Sequence, residues 1–419
     1  MNSNNLLYDI NERPPLNKLL LFATQLMLSV FVATVLIANI CGVSISGALC
    51  GAGLATLVYI LFTRGQSPMF VSNSGAFVAP VIFALATGGY TGVVVGGFTT
   101  YLVYVIFGII FSKISVNNIY KVFPKALIGA VTVVIGINLM PFILTYVQVN
   151  GTNNNWGIVI AAVTMIVIAL VSHYAKGIWK MLPFLVGTLV GYALAAVLTI
   201  TKVAPLIDFS VFQNLKLISA PDAAFLHLND FNWITATPII IMYVAYTISA
   251  MMEALSDHAA LGGIIGRDLY QKPGLSHIFI AEGAANLTGS LVGGLGICSY
   301  GEGVACVGFS KVASVWVTGT SAVFLILLSF LAPIQAFITS IPSCVFAGAA
   351  IILYGFIACS GIKMLQKIDL NVSKNLVIVS SVLSLGISGL VVGGSMISFS
   401  ATALALIAGV ILNLILKDK

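Results

Sequence analysis

Charge is what this sequence has least of. Of its 419 residues, 7% are Asp, Glu, Lys or Arg and 59% are apolar by type. Soluble domains run at about 25% and about 45–50%. A folded soluble surface needs ionised groups, so the shortage excludes a cytosolic enzyme, a nucleic-acid binder, a disordered protein and a secreted disulfide scaffold. A mean hydropathy of +1.10 points the same way. Ligand-spaced cysteines are also missing. Cys41, Cys50, Cys298, Cys306, Cys344 and Cys359 fall within or at the ends of apolar stretches, with no CxxC or Cys/His spacing among them. They read as small membrane-helix residues rather than a metal site or a redox pair. The net charge of +6 says little about partners, since it can record only which membrane face the loops occupy. The chain reads as an all-α polytopic membrane protein in a lipid bilayer.

Apolar stretches of spanning length begin near Leu19, Ser44, Gly92, Leu127, Trp156, Leu182, Thr237, Ile278, Val315, Val345, Leu376 and Thr402. Two more, Ser67–Ala86 and Ile297–Phe309, are short and interrupted by Gly, Ser and Asn. Together they predict about 14 crossings or part-crossings. The first is not read as a cleaved signal, because the leader Met1–Asn17 sets Asp9 and Glu12 against a lone Arg13 and the apolar run is too long for an h-region.

Lys and Arg favour the cytoplasmic side of a membrane. With the N-terminus inside and faces alternating, the cytoplasmic connections hold Arg64; Lys113, Lys121 and Lys125; Lys176 and Lys180; Arg267 and Lys272; Lys311; Lys363, Lys367 and Lys374; and Lys417 and Lys419. Arg13 and Lys18 precede the first span on the same side, and only Lys202 and Lys216 fall opposite. Both termini are expected in the cytoplasm of a multi-pass cell-membrane protein.

Internal duplication is common in transporters. Pro124 and Pro342 each open a long helix rich in small residues, and Gly191 and Gly409 repeat the same offset of 218 residues. The two interrupted segments hold comparable places, Val71 to Phe77 and Cys298 to Val304. Irregular backbone at membrane depth survives only where protein or a water-filled cavity satisfies it. Such half-helices aim free N–H groups at the midplane, a common way to build a substrate site.

Most Asp and Glu residues lie in termini or loops, but Glu253, Asp257, Glu282 and Glu302 do not. A carboxylate inside a span costs about 2.5–3.5 kcal/mol even on lenient scales, which makes it a functional-site hypothesis. Glu253 and Asp257, at i and i+4, share a helix face. Glu302 falls in the second interrupted segment. Two carboxyls near one cavity, with no Lys or Arg in the spans, cannot easily both stay ionised. A group that takes a proton on one side and releases it on the other meets the requirement of proton-coupled uptake. A carboxyl also suits adjacent N–H donors of a planar heterocycle. Asp257 is a candidate relay, Glu282 reads as structural near a helix start, and His258 as packing or interfacial. His173, His227 and His277 lie near loops.

Several features in linear order then resemble a known family. They are Glu12 to Pro15, Gln25, Ala33 and Thr34 in the first span, the interrupted third segment, Glu253 with an acid at i+4, Arg267 to Leu275, and Tyr300 to Glu302. The chain resembles the nucleobase–cation symporter 2 family, the uracil/xanthine permease or nucleobase–ascorbate transporter group, and its bacterial uracil permease branch in particular. The resemblance implies two inverted sets of seven spans. It implies a leader over 1–17, core-domain parts over 18–112 (spans 1–4) and 233–335 (spans 8–11), and gate-domain parts over 113–200 (spans 5–7) and 336–419 (spans 12–14 and the tail). An extracytoplasmic connection would cover 201–232. Two short strands would lead into half-helices three and ten. By position Glu253 and Glu302 would hold the base, with Tyr300, Gly75, Ala76 and Ala33 at the pocket wall and N–H groups near Gly75 and Gly303 meeting base carbonyls. Asp257, Glu253 and Glu302 would couple to protons, with no other cofactor, and a homodimer through the gate domain is a further implication.

Departures are visible too. Leu26 follows Gln25 where a His is common, Gly303 stands for a common Asn, and Gly75 for an aromatic of the uracil permease. Losing a ring at the wall enlarges the site and leaves room for a purine such as xanthine. A carrier of another small planar or anionic solute on a related fold is the alternative, but an anion site should show an intramembrane Arg or Lys. An intramembrane aspartyl protease would need two Asp, and only Asp257 lies in a span.

Overall fold

A backbone in hydrocarbon must satisfy its own N–H and C=O groups, so apolar runs of this length fold as helices. The computed structural model describes residues 6–113, 121–138, 140–149, 152–153, 155–176, 179, 183–213, 217–228, 236–390, 392–393, 398–399 and 401–416. Of the topology-bearing lysines, Lys180, Lys216, Lys417 and Lys419 lie outside the described residues.

Helix α1 (Leu16–Cys41) starts directly after Pro15 and ends at Gly42, whose φ of 68° makes a left-handed cap. Helix α2 (Ile45–Phe62) is N-capped by Ser44, whose hydroxyl accepts from the Gly47 N–H. Strand β1 (Val71–Asn73) and a 3-10 turn (Gly75–Phe77) lead into α3 (Val78–Lys113). Within α3 the backbone at Gly89 takes φ 59° and ψ −154°, a conformation open only to glycine. The interrupted segment and the stretch expected from Gly92 are therefore a half-helix and a full helix that meet at this residue.

There follow α4 (Lys125–Asn138), α5 (Phe142–Val147), strands β2 (Gln148–Val149) and β3 (Thr152–Asn153), α6 (Asn155–Tyr174) and α7 (Pro183–Ile200). The second half contains α8 (Ala236–Ile265), α9 (Leu275–Gly293), β4 (Ile297–Ser299), α10 (Gly301–Ser310), α11 (Val315–Ser329) and α12 (Ala332–Ser340). It ends with α13 (Ser343–Leu365), α14 (Ser373–Ile387), strands β5 (Val392–Gly393) and β6 (Ser398–Phe399), and α15 (Ala401–Ile415). Among the described residues, seven helices are long and apolar enough to cross a membrane. The shorter apolar helices Lys125–Asn138, Val315–Ser329, Ser373–Ile387 and Leu404–Ile415 accompany them.

Helix α9 packs on both α2 and α3, with α8 against α3 and α11 against α1 and α2. In a second set, α13 packs on α4 and α6, α6 on α7, and α14 on α4 and α15. Small residues set these approaches, as expected where lipid gives no hydrophobic drive between helices. A Cβ on Gly51 would lie 2.7 Å from the Gly293 nitrogen, so α2 and α9 touch backbone to backbone. Gly191 is closed in by Thr164 and Val345, and Gly409 by Val382 and Leu127.

The leader is held across one face of the bundle. The Leu7 N–H donates to Lys311 O at 2.7 Å, Ala313 N–H to Tyr8 O at 2.9 Å and Val315 N–H to Ile10 O at 3.0 Å. Asp9 pairs with Arg267, and the Arg13 guanidinium lies over the Trp316 ring at 5.1 Å.

Candidate functional site

Two chain breaks meet at one place. β1 and β4 pair antiparallel, with Val71 opposite Ser299, Ser72 opposite Cys298 and Asn73 opposite Ile297. Strands this short cannot satisfy their own edges, and side chains from three helices complete the bonding. Thr56 of α2 donates to Val71 O at 2.6 Å and accepts from the Val71 N–H at 3.3 Å. From α1, the Thr34 hydroxyl meets Ser72 Oγ at 2.8 Å, while the Asn73 amide donates to Thr34 O at 3.2 Å. Asn286 of α9 donates to Ile297 O at 2.7 Å. The strand pair is thus bolted to α1, α2 and α9, and both of its exits are fixed.

From the first exit, Ser74 opens the turn of Gly75–Phe77. Its hydroxyl accepts from the Ala76 N–H at 3.1 Å and donates to Glu253 Oε2 at 3.3 Å. One side chain therefore caps a half-helix and holds an acid of α8. Ala76, expected at the wall, is buried with its N–H already taken, whereas Gly75 is half-buried.

From the second exit, Tyr300 precedes α10 and Glu302 lies in its first turn. The N-cap residue Tyr300 makes no side-chain cap, so the N–H groups of Gly301, Glu302 and Gly303 have no helical acceptors, and that of Glu302 lies toward its own carboxyl. Gly303 is buried and packs near Phe70, with 3.1 Å from its would-be Cβ to that side chain. Tyr300 is 6% exposed, and its hydroxyl, which lies toward Thr34, makes no hydrogen bond of ordinary geometry. Ala33, in α1 beside Thr34, is 4% exposed.

The carboxyls form one electrostatic group. Glu253 lies close enough to Asp257 and Glu302 to feel their charge, and Asp257 likewise feels Glu302. Asp257 approaches Ser299, and its Oδ2 is buried without a partner. Asp257 Oδ1 lies 3.8 Å from where Gly301 would carry a Cβ.

Glu282 corrects the expectation from sequence. It sits two turns inside α9 rather than at a helix start, is 0% exposed, and makes no hydrogen bond of ordinary geometry on either oxygen. The charges of Asp257 and Glu253 reach it, and Ser299 lies beside it. Its place against β4 could not be read from spacing, because β4 is brought to it by a turn at Gly294. Ser74 carries a signal of its own, since a Ser directly before a helix marks an N-cap. His258 is 1% exposed, and the Tyr59 hydroxyl it meets feels the charge of Glu282. Its Nδ1 lies 2.7 Å from Ala254 O, and its Nε2 lies 2.6 Å from the Tyr59 hydroxyl.

The arrangement offers carboxyl acceptors from α8 and α10, uncapped N–H donors at the start of α10, and an aromatic ring beside them. It suits a small planar solute with both N–H and carbonyl groups.

Comparisons with known proteins follow the same line. The model of the xanthine/uracil permease group, described as "Permease family", matches residues 17–393. The uracil permease of Bacillus caldolyticus is 33% identical over 98% of this chain and 95% of its own length. That of Escherichia coli (strain K12) is 30% identical over 97% and 93%. Among solved structures, the transmembrane domain of the cyanobacterial bicarbonate transporter BicA matches with a TM-score of 0.66 at 15% identity, over 97% of this chain and 99% of that one. Murine Slc26a9, an anion transporter, matches with a TM-score of 0.67 at 12% identity, over 96% and 68%. These last two speak for the fold alone.

Proposed function

The chain belongs to the xanthine/uracil permease family, a family of membrane transporters and not of enzymes, and from that premise we propose that it takes up a nucleobase together with protons. The substrate is uracil or a related pyrimidine or purine such as xanthine. The observation that carries this reading is the convergence of Glu253, held by Ser74, with Glu302 and the first-turn N–H groups of α10. The carboxyls accept from ring N–H groups, and the amides near Gly75 and Gly303 donate to ring carbonyls. Tyr300 and Ala33 close the wall.

Proton coupling is supported by the four neighbouring carboxyls, which have no ion-pair partner among the described residues. Their mutual repulsion in an apolar surround makes protonation of some of them a condition of occupancy. The α1–α3 and α8–α11 helices serve as the core domain in this proposal, and α4–α7 with α13–α15 as the gate. Alternating access moves one against the other, with both termini in the cytoplasm. An inverted repeat is supported by the glycine contacts. Thr164, Gly191 and Val345 correspond at the offset of 218 to Val382, Gly409 and Leu127, so each half's glycine meets the other half's helix. An anion would face carboxylates at this place, and for that reason we prefer a nucleobase to the solutes of the structural neighbours.

The test is a binding screen of purified protein against uracil, xanthine, guanine, adenine, ascorbate and benzoate, followed by uptake. One of the bases binds, and Glu253→Gln and Glu302→Gln each abolish that binding. Uptake rises with outside acidity and stops with a protonophore. Wild-type affinity in either variant would overturn the site assignment, and protonophore-resistant concentrative uptake would overturn the coupling.

A further inference from the structure

A cavity of about 330 Å³ lies between the end of α2 and the start of α9 and shares no residue with the acid cluster. Its lining is Leu61, Phe62, Arg64, His277 and Ile280. It opens on the face that carries the leader. Gly65, next to Arg64, lies against Val315, and the Val315 N–H bonds Ile10 O in the leader.

We infer that this cavity binds an anionic phospholipid. Three observations converge. First, the lining is divided by polarity, with two N–H-bearing side chains beside three apolar ones. Leu61 is 72% exposed and Phe62 42%, surfaces that face hydrocarbon in a chain of this hydropathy. Second, the basic groups have no competing carboxylate. Among the described residues neither Arg64 nor His277 is in an ion pair, whereas Arg267 nearby in sequence is taken by Asp9. Third, the neighbouring helix brings a further cation toward this place. Helix α3 packs on the start of α9 at Gly108, which approaches Ser276 and Ile280, and Lys113 ends α3 five residues further along.

A phosphodiester fits the guanidinium as a bidentate acceptor and takes an N–H from the imidazole. The acyl chains then run along Leu61 and Phe62. A zwitterionic headgroup would bring its own ammonium into this field. A free phosphate would leave the apolar wall uncovered. Basic pockets between membrane helices commonly hold such headgroups. Seated there, the lipid bridges α2 and α9, the two helices that cross at Gly51 and Gly293.

The test uses full-length protein delipidated in neutral detergent. Native mass spectrometry and melting curves are recorded with phosphatidylglycerol, phosphatidylcholine or inorganic phosphate. Phosphatidylglycerol should remain bound and raise the melting temperature in a concentration-dependent way, as a ligand of the folded state does. Phosphatidylcholine and phosphate should do neither. Arg64→Gln combined with His277→Gln should weaken phosphatidylglycerol binding by roughly tenfold and leave nucleobase binding unchanged. Lys202→Gln, outside the cavity, should keep the full response. If the double variant does not fold, Arg64→Gln alone should show the weaker lipid response and Arg64→Lys should recover part of it. Equal shifts with phosphatidylcholine, a shift with phosphate alone, or an undiminished response in the Arg64 variants would each overturn the assignment.

Discussion

Replacing Ser74 by alanine or by glycine removes two hydrogen bonds at once, but the two replacements differ in what they cost the turn. The Ser74 hydroxyl caps the Gly75–Phe77 turn through the Ala76 N–H at 3.1 Å, and it also reaches Glu253 at 3.3 Å. An alanine in place of a serine cap costs about 1 kcal/mol, and a glycine only a few tenths. A hydrogen bond to an ionised group contributes about 1.5–3 kcal/mol, and a length of 3.3 Å argues for the lower end. If that bond orients Glu253 toward the base, its loss weakens binding by about 1.5 kcal/mol, or roughly tenfold in Kd. Ser74→Ala should therefore lower both melting temperature and affinity, while Ser74→Gly should lower affinity with little change in melting. Calorimetric titration of the selected base into purified protein, beside a melting curve, reads both quantities. Unchanged affinity in both variants would refute the link between the half-helix cap and the acid. An affinity loss in Ser74→Ala alone would assign the effect to the turn and not to Glu253.

Two further predictions concern the scaffold. Gly51→Val places a branched side chain where a single Cβ already lies 2.7 Å from backbone. It should separate α2 from α9, costing about 3 kcal/mol or more by overpacking, and gel filtration after mild detergent extraction should show loss of the monodisperse protein. The Asp9–Arg267 pair is partly exposed, so Asp9→Asn should cost at most about 1 kcal/mol. The charge-reversed combination of Asp9→Arg with Arg267→Asp should recover part of the melting temperature lost by either single reversal, and an additive loss would argue against the pairing.

Much of this molecule is legible in one dimension because a membrane enforces a simple rule. Hydrocarbon requires internally bonded backbone, and the helices accordingly begin near Leu16, Ile45, Ala236 and Val315, close to where the apolar stretches begin. Pro15, Ser44 and Gly42 mark helix ends by local chemistry alone. Glu253, Asp257 and Glu302 stand out for the same reason, as carboxyls where carboxyls are expensive. The surroundings of Glu282 are not visible in its local sequence. Spacing shows Glu253 and Asp257 as neighbours on one helix, but nothing in the spacing relates residue 282 to 257 or to Ser299. Ser74 likewise carries a visible cap signal, yet its second partner lies 179 residues away.

The amino-acid sequence by itself determined that the chain is a helical membrane protein, where its helices break, and which few charges are costly enough to matter. Those properties depend on local composition and on the free energy of single groups in hydrocarbon. The tertiary structure alone decided that β1 meets β4, that Ser74 reaches Glu253, that Glu282 joins the other acids, and that Arg64 and His277 share a cavity. Each of these joins residues far apart in the chain. Such pairings depend on how glycine-lined helices fit against one another, which no single segment encodes.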